Sequence, residues 1–359
     1  MKRAPSWKWI VLFALVIYPL LPFIENLSQR WLGVPLEKQL TTIFVFCILA
    51  LGLNVVVGYS GLLQLGIAAF FAIGAYATGI LTVSAYPFQI GFWGALIVAP
   101  IIAALAGVVL AAPTLRLRGD YLAIVTLGFG EVVRVTLLNL DEITGGPRSL
   151  NPIPPPWVPD FMKEGLGVGF VGISPDFYLY YITLAILVTV LIFLTMIEKS
   201  RLGRAWMAIR EDELAASCMG INTTRTKLSA FAMGAALAGL AGVLYATKLT
   251  TTAEPNTYDF NYSIMVLCCI IIGGLGSTPG VLVGAVVLLG FDNILTPLIT
   301  RQFQRWFPSD VGSNVLMAPS NWRWIVFGAA LVLMMRFRPE GLIPSRRIQL
   351  ELHEEKAPE

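Results

Sequence analysis

The sequence predicts an all-α integral membrane protein, a single domain over residues 1–359 built as a polytopic helical bundle of about ten transmembrane helices. Three observations lead there. Of 359 residues, 56% are hydrophobic and 13% charged, against roughly 25% charged in an average soluble domain. Apolar runs recur that are long enough for the hydrocarbon core, which needs about 20 residues of helix. Basic residues also fall unevenly between the two sides. One side holds Lys2, Arg3, Lys8, Arg116 and Arg118, the basic residues of a central polar segment, and those of the C-terminal tail. Fewer lie on the other side, so the positive-inside rule puts both termini in the cytoplasm.

In chain order the spans fall roughly at 9–24, 40–57, 62–83, 91–112, 121–140, 177–197, 229–247, 262–276, 280–299 and 322–337. The first follows a basic start without a small-residue cleavage motif, so it reads as a span rather than a removed leader. The second ends at Gly58-Tyr59-Ser60-Gly61, and a matching break, Gly273 to Gly280, follows the eighth. Both breaks fall on the cytoplasmic side of this topology, so no inverted repeat is read from them. The outer segment 141–176 carries seven prolines and more acidic than basic residues. Proline at that density makes it an extended, semi-rigid excursion, either a docking surface or a solvated loop.

Between the sixth and seventh spans lies Glu198–Lys227, the longest charged run between two apolar segments. Arg204 to Ser217 contains neither Pro nor Gly and reads as one short amphipathic helix. Trp206, Met207 and Ile209 lie toward one side, with Arg210, Glu211 and Asp212 toward the other. Gly220 stands where a helix C-cap belongs, and Asn222-Thr223-Thr224 has turn chemistry. Small residues recur four apart at Gly276, Gly280 and Gly284, at Ala235 and Gly239, and at Ala238 and Gly242. Such seams let helix backbones approach closely in lipid.

Several chemistries are excluded by what is missing. His353 is the only histidine and lies in the polar tail, which removes histidine acid–base and triad chemistry. No Walker phosphate loop or metal-ligand cluster occurs. Cys47, Cys218, Cys268 and Cys269 form no disulfide framework. A net charge of +3, spread over loops, gives no nucleic-acid footprint. Inside the spans, Glu131 and Arg134 are three residues apart and share a helix face. Their pairing reads either as a contact for a zwitterionic solute or as a structural ion pair. Asn54, Gln64 and Asp292 read as residues of the path or as polar bridges between helices.

Long stretches in order carry a specific resemblance: GYSGLLQLGIAAFFAIGAY (58–76), LRLRGDYLAIVTLGFGEVVR (115–134), EITGGP (142–147), LGRAWMAIREDELAASCMGI (202–221), IIGGLGS (271–277) and FRPEGLIP (337–344). With these, the chain resembles the LivM-type permease subunits of branched-chain amino-acid ABC importers, over about residues 40–344. The resemblance implies a permease of the bacterial inner membrane that works with a sister permease, two ABC ATPase subunits and a periplasmic solute-binding protein. It implies no cofactor on this chain, because ATP is bound and hydrolysed by the partners. The family's coupling motif of the form E-A-A…G maps onto Glu213, Ala215, Ala216 and Gly220, within a loop of about 198–228 that also holds Arg204 and Arg210. Where the family often follows TGGP with Asn-Gly, this chain has Arg148-Ser149, a departure that bears on binding-protein docking or substrate range. A related urea or short-amide importer, and an ion-gradient-driven secondary transporter, are the competing readings. Only the importers need a cytoplasmic docking helix.

Overall fold

The computed structural model describes residues 36–114, 119–157, 175–306, 322–338 and 340–344, and all regular structure among them is helical. The span expected at 9–24, the bases Arg116 and Arg118, part of the outer segment and most of the tail lie outside the described residues. Six helices are long and apolar enough to cross a membrane, and three further apolar helices are shorter. The described residues thus show a polytopic helical bundle, and they do not confirm the expected count of about ten spans.

Helix α1 (Leu36–Asn54) runs on through a π-helical turn, Val55–Tyr59. It is apolar on all sides, and its membrane window is 89% buried, so it forms the centre of the bundle. The next run is not one long span. Residues 61–66 form no regular structure, and α2 begins only at Ile67 and ends at Thr82. Helices α3 (Gly91–Thr114), α4 (Asp120–Asn139) and α5 (Pro175–Glu198) follow. The polar segment forms α6 (Arg201–Glu211) and α7 (Glu213–Cys218). Helix α8 (Thr223–Leu249) has 27 residues, about 40 Å of length. Then come α9 (Phe260–Gly273), α10 (Thr278–Gly290), a second π turn at Phe291–Leu295, α11 (Thr296–Trp306) and α12 (Arg323–Phe337).

Helix α8 packs against α1, α2 and α3, and small residues make that approach close. A Cβ on Gly239 would stand 2.5 Å from the Ala103 Cβ, and one on Gly242 would stand 2.3 Å from the Phe71 carbonyl oxygen. With the helix backbones this near, any larger side chain would force them apart. At the far end of α8, the loop after α4 is laced to the loop after α8. Ile153 donates its amide to Thr250 O (2.8 Å), and Thr252 donates to Leu150 O (3.1 Å).

Candidate functional site

Two groups of polar residues stand out, at opposite levels of the bundle. The first is the corner where α6 and α7 meet the ends of α1, α9 and α10. The expected single helix is two, because Asp212 interrupts it. Its backbone is extended, and its carboxylate accepts the amides of Leu214 (2.7 Å) and Ala215 (3.0 Å) as the N-cap of α7. A capping carboxylate gives two orphan donors a partner and so starts a new helix rather than continuing the old one. At the other end, Ser200 caps α6 and Asn222 caps α8.

Trp206 is fully buried and fastens α6 to α8, its indole N–H donating to Ser229 Oγ (2.9 Å) and Thr226 O (3.1 Å). Glu213 is fixed by the buried Lys227, whose Nζ lies 2.6 Å from its carboxylate. Arg204 donates to Lys199 O at 2.8 Å and stays within its own turn. Gly220 has φ +83° with open space around it, a backbone that favours glycine. The two alanines of the motif face different ways. Ala215 is exposed, whereas Ala216 is buried within its own chain. The exposed apolar groups of α7 are instead Leu214 (73%) and the adjoining Met219 (84%), which spacing alone did not single out.

Arg210 reaches furthest. Its guanidinium bonds the Gly58 carbonyl inside the π turn that ends α1. A Cβ at Gly61 would stand 2.8 Å from its Cγ, and one at Gly276 would stand 3.0 Å from its Nη1. Both glycine breaks thus close around one arginine. They are also tied to each other. Gly276 N donates to Asn54 Oδ1 (3.0 Å), and the Tyr59 hydroxyl shares a 2.7 Å hydrogen bond with Thr278. Asn54 therefore bridges helices at this corner.

From the same break, residues 61–66 lead into the bundle. Leu65 N donates to Thr126 Oγ1 of α4 (3.1 Å), and Ala68 N donates to Ser263 Oγ of α9 (3.2 Å). Gly66 lies against α4 so closely that a Cβ would stand 2.2 Å from Thr126 O. These side chains satisfy amides that the irregular stretch and the first turn of α2 would otherwise leave open. Gln64, on this stretch, is buried, and among the described residues its amide has no hydrogen-bond partner.

The second group lies on α4. Glu131 and Arg134 form an ion pair through several contacts, including Nε to Oε2 at 3.0 Å. Arg134 Nη1 also donates to Asn256 Oδ1 (2.5 Å), and Asn256 donates to Glu254 (2.7 Å). Asn256 comes from the loop after α8, and no local spacing links it to α4. Glu131 lines a cavity of about 170 Å³ together with Leu65, Leu127, Tyr258, Asp259 and Ser263. Its side chain is half exposed (50%), against 21% for Arg134. Each charge alone costs about 2.5–3.5 kcal/mol at mid-membrane on insertion scales, so pairing accounts for their presence in a span but not for the exposure. Asp292 lies apart, on the second π turn, where it lines a separate cavity of similar volume with Thr42, Tyr245 and Lys248. Asn54, Gln64 and Asp292 are thus not gathered with Glu131 into one site.

Comparison with known proteins gives concordant matches. A family described as the permease component of branched-chain amino acid transport systems matches residues 36–335. The LivM permease of the high-affinity branched-chain amino acid transport system of Salmonella typhimurium is 40% identical over 325 residues, covering 87% of this chain and 71% of the relative. The Escherichia coli LivM protein matches to the same extent. The LivH permease of the Salmonella system is 27% identical over 282 residues, covering 74% of this chain and 84% of the relative. No solved structure gives a significant match.

Proposed function

The chain belongs to the branched-chain amino acid transport permease family, and on that premise we propose how it works in an ATP-driven importer. It is the translocation subunit for leucine, isoleucine and valine, paired with a sister permease and served by two ABC ATPases and a periplasmic binding protein. It lies in the inner membrane with both termini and the α6–α7 corner in the cytoplasm. The loops at the far end of α8 face the binding protein. Hydrolysis belongs to the ATPases, and this chain converts their closure into a change of access.

The observation that carries the reading is the grip of Arg210 on both glycine breaks. A helix held only by flexible linkers would absorb a push. Here α6 is seated by Trp206, Arg210 in its last turn bonds the end of α1, and Tyr59 ties that end to Thr278 at the start of α10. Displacement of α7 by the ATPase would move that corner as a unit. Residues 61–66 would carry the motion to Thr126 and so to the wall of the cavity beside Glu131.

Docking on the ATPase falls to Leu214 and Met219, apolar groups exposed on a short helix that suits a groove. Leu214→Asp combined with Met219→Asp should leave the permease inserted at normal level, since neither side chain supports the core. Co-purification of the ATPases should fall at least tenfold. Uptake of labelled leucine by a strain carrying the whole system, measured against urea and short amides, tests the substrate. Leucine transport at the background rate alongside strong urea uptake would overturn it.

A further inference from the structure

The outward faces of the spanning helices are not alike. Helix α3 turns out Ile97, Ile101, Leu105 and Val109, one residue per turn and all aliphatic. Helix α12 turns out Ile325, Val332 and Leu333. Such faces match acyl chains and need no other cover.

Helix α4 is different. Its window is only 17% buried, yet its outward stripe carries Tyr121, Ile124, Gly128, Glu131, Val135 and Asn139, with the exposed Val132 beside Glu131. The first five follow a three-four-three-four spacing, the seven-residue repeat that holds one helix seam against another. Gly128 has open space beyond its Cα, room for a second helix backbone. The half-exposed Glu131 stands in the middle of that stripe. Acyl chains cannot solvate a carboxylate, and water over the whole stripe would leave its aromatic and aliphatic members wet. A polypeptide that offers an apolar seam with a polar group at the level of Glu131 satisfies both.

We propose that the α4 stripe is the seam against the sister permease, a second chain of the same fold. That chain would cover the Glu131–Arg134 pair and close the cavity beside it into a chamber between the two subunits. The occupant is argued from kinship as well as chemistry. This chain is similar to both the LivM and the LivH permease of one Salmonella system, so a partner unlike it in sequence but sharing its helices is the expected counterpart. The placement rests on the reading of the chain as one of two unlike permease subunits.

The test is photo-cross-linking in the assembled importer, with benzoylphenylalanine placed singly at Ile124 or Val132 on α4, at Leu105 on α3 and at Val332 on α12. Adducts with the sister permease should form from Ile124 and Val132 at least tenfold above those from Leu105 and Val332. Three results would overturn the placement while the sister permease co-purifies: adducts confined to Leu105 or Val332, adducts between two copies of this chain through α4, or no protein adduct from α4. Failure of the sister permease to co-purify with the unaltered chain would overturn the subunit reading and the placement together.

Discussion

At the scale of single residues, the α6–α7 corner is held by two cations used in opposite ways. Arg210 keeps its charge on a planar fork of donors. It spends that fork on backbone, at Gly58, while its stem fills the space beside Gly61. Lys227 is instead buried and reaches a single carboxylate, Glu213. Removing one partner of such a pair strands the other charge, at a cost of about 3 kcal/mol, the low end for buried pairs because Glu213 keeps some solvent contact. Glu213→Gln should accordingly lower the apparent melting temperature of the purified permease. Adding Lys227→Met should recover most of the loss, and thermal unfolding of both variants in detergent measures it. No recovery in the double variant would mean that the pair does not act as a unit.

Helices and loops show where sequence periodicity succeeds and where it stops. The i, i+3 spacing was enough to place Glu131 beside Arg134, because a helix puts those positions on one face. The glycine breaks and the small-residue seams of α8 were legible for a similar reason, since glycine without a cap or turn role in an apolar run marks close approach. Asn256 was not legible, because it joins Arg134 from another loop. The short start of α2 was also hidden. Residues 62–66 are apolar enough to continue a helix, and only the distant hydroxyls of Thr126 and Ser263 make the break sustainable. Asp212 could have been read as a cap before Glu213, but the run lacks the glycine or proline that usually advertises an interruption. The seams themselves predict a contrast. A Cβ at Gly74 would stand 2.2 Å from Gly239 O, whereas one at Gly290 would meet nothing within 4 Å. Gly74→Val should reduce the amount of assembled permease several-fold, by overpacking of about 1–3 kcal/mol or more. Gly290→Ala should leave it unchanged or slightly raised. Quantitative immunoblotting of membranes distinguishes them, and equal amounts for both would contradict the packing described.

Across the whole molecule, α8 separates the α6–α7 corner from the laced loops at its other end by the length of one membrane helix. The orientation can be read from cysteines already present. Cys47, Cys268 and Cys269 are buried, and Cys218, at the end of α7, is exposed. A membrane-impermeant maleimide should label the permease in inside-out vesicles stripped of ATPases, and not in intact spheroplasts. Restoring the ATPases should protect it. Labelling of Cys218 from the outer face would reverse the orientation and place α7 out of reach of any ATPase.

The central claim is mechanical: one arginine joins the element that meets the ATPase to the two breaks that end the membrane helices. Arg210→Gln tests it most directly, because it removes the charged fork without touching Leu214, Met219 or the Trp206 anchor. In reconstituted importer the ATPases should still co-purify and hydrolyse ATP, while leucine uptake per ATP consumed should fall at least tenfold. Uptake per ATP equal to that of the unaltered complex would contradict the claim and leave α6 as a connector.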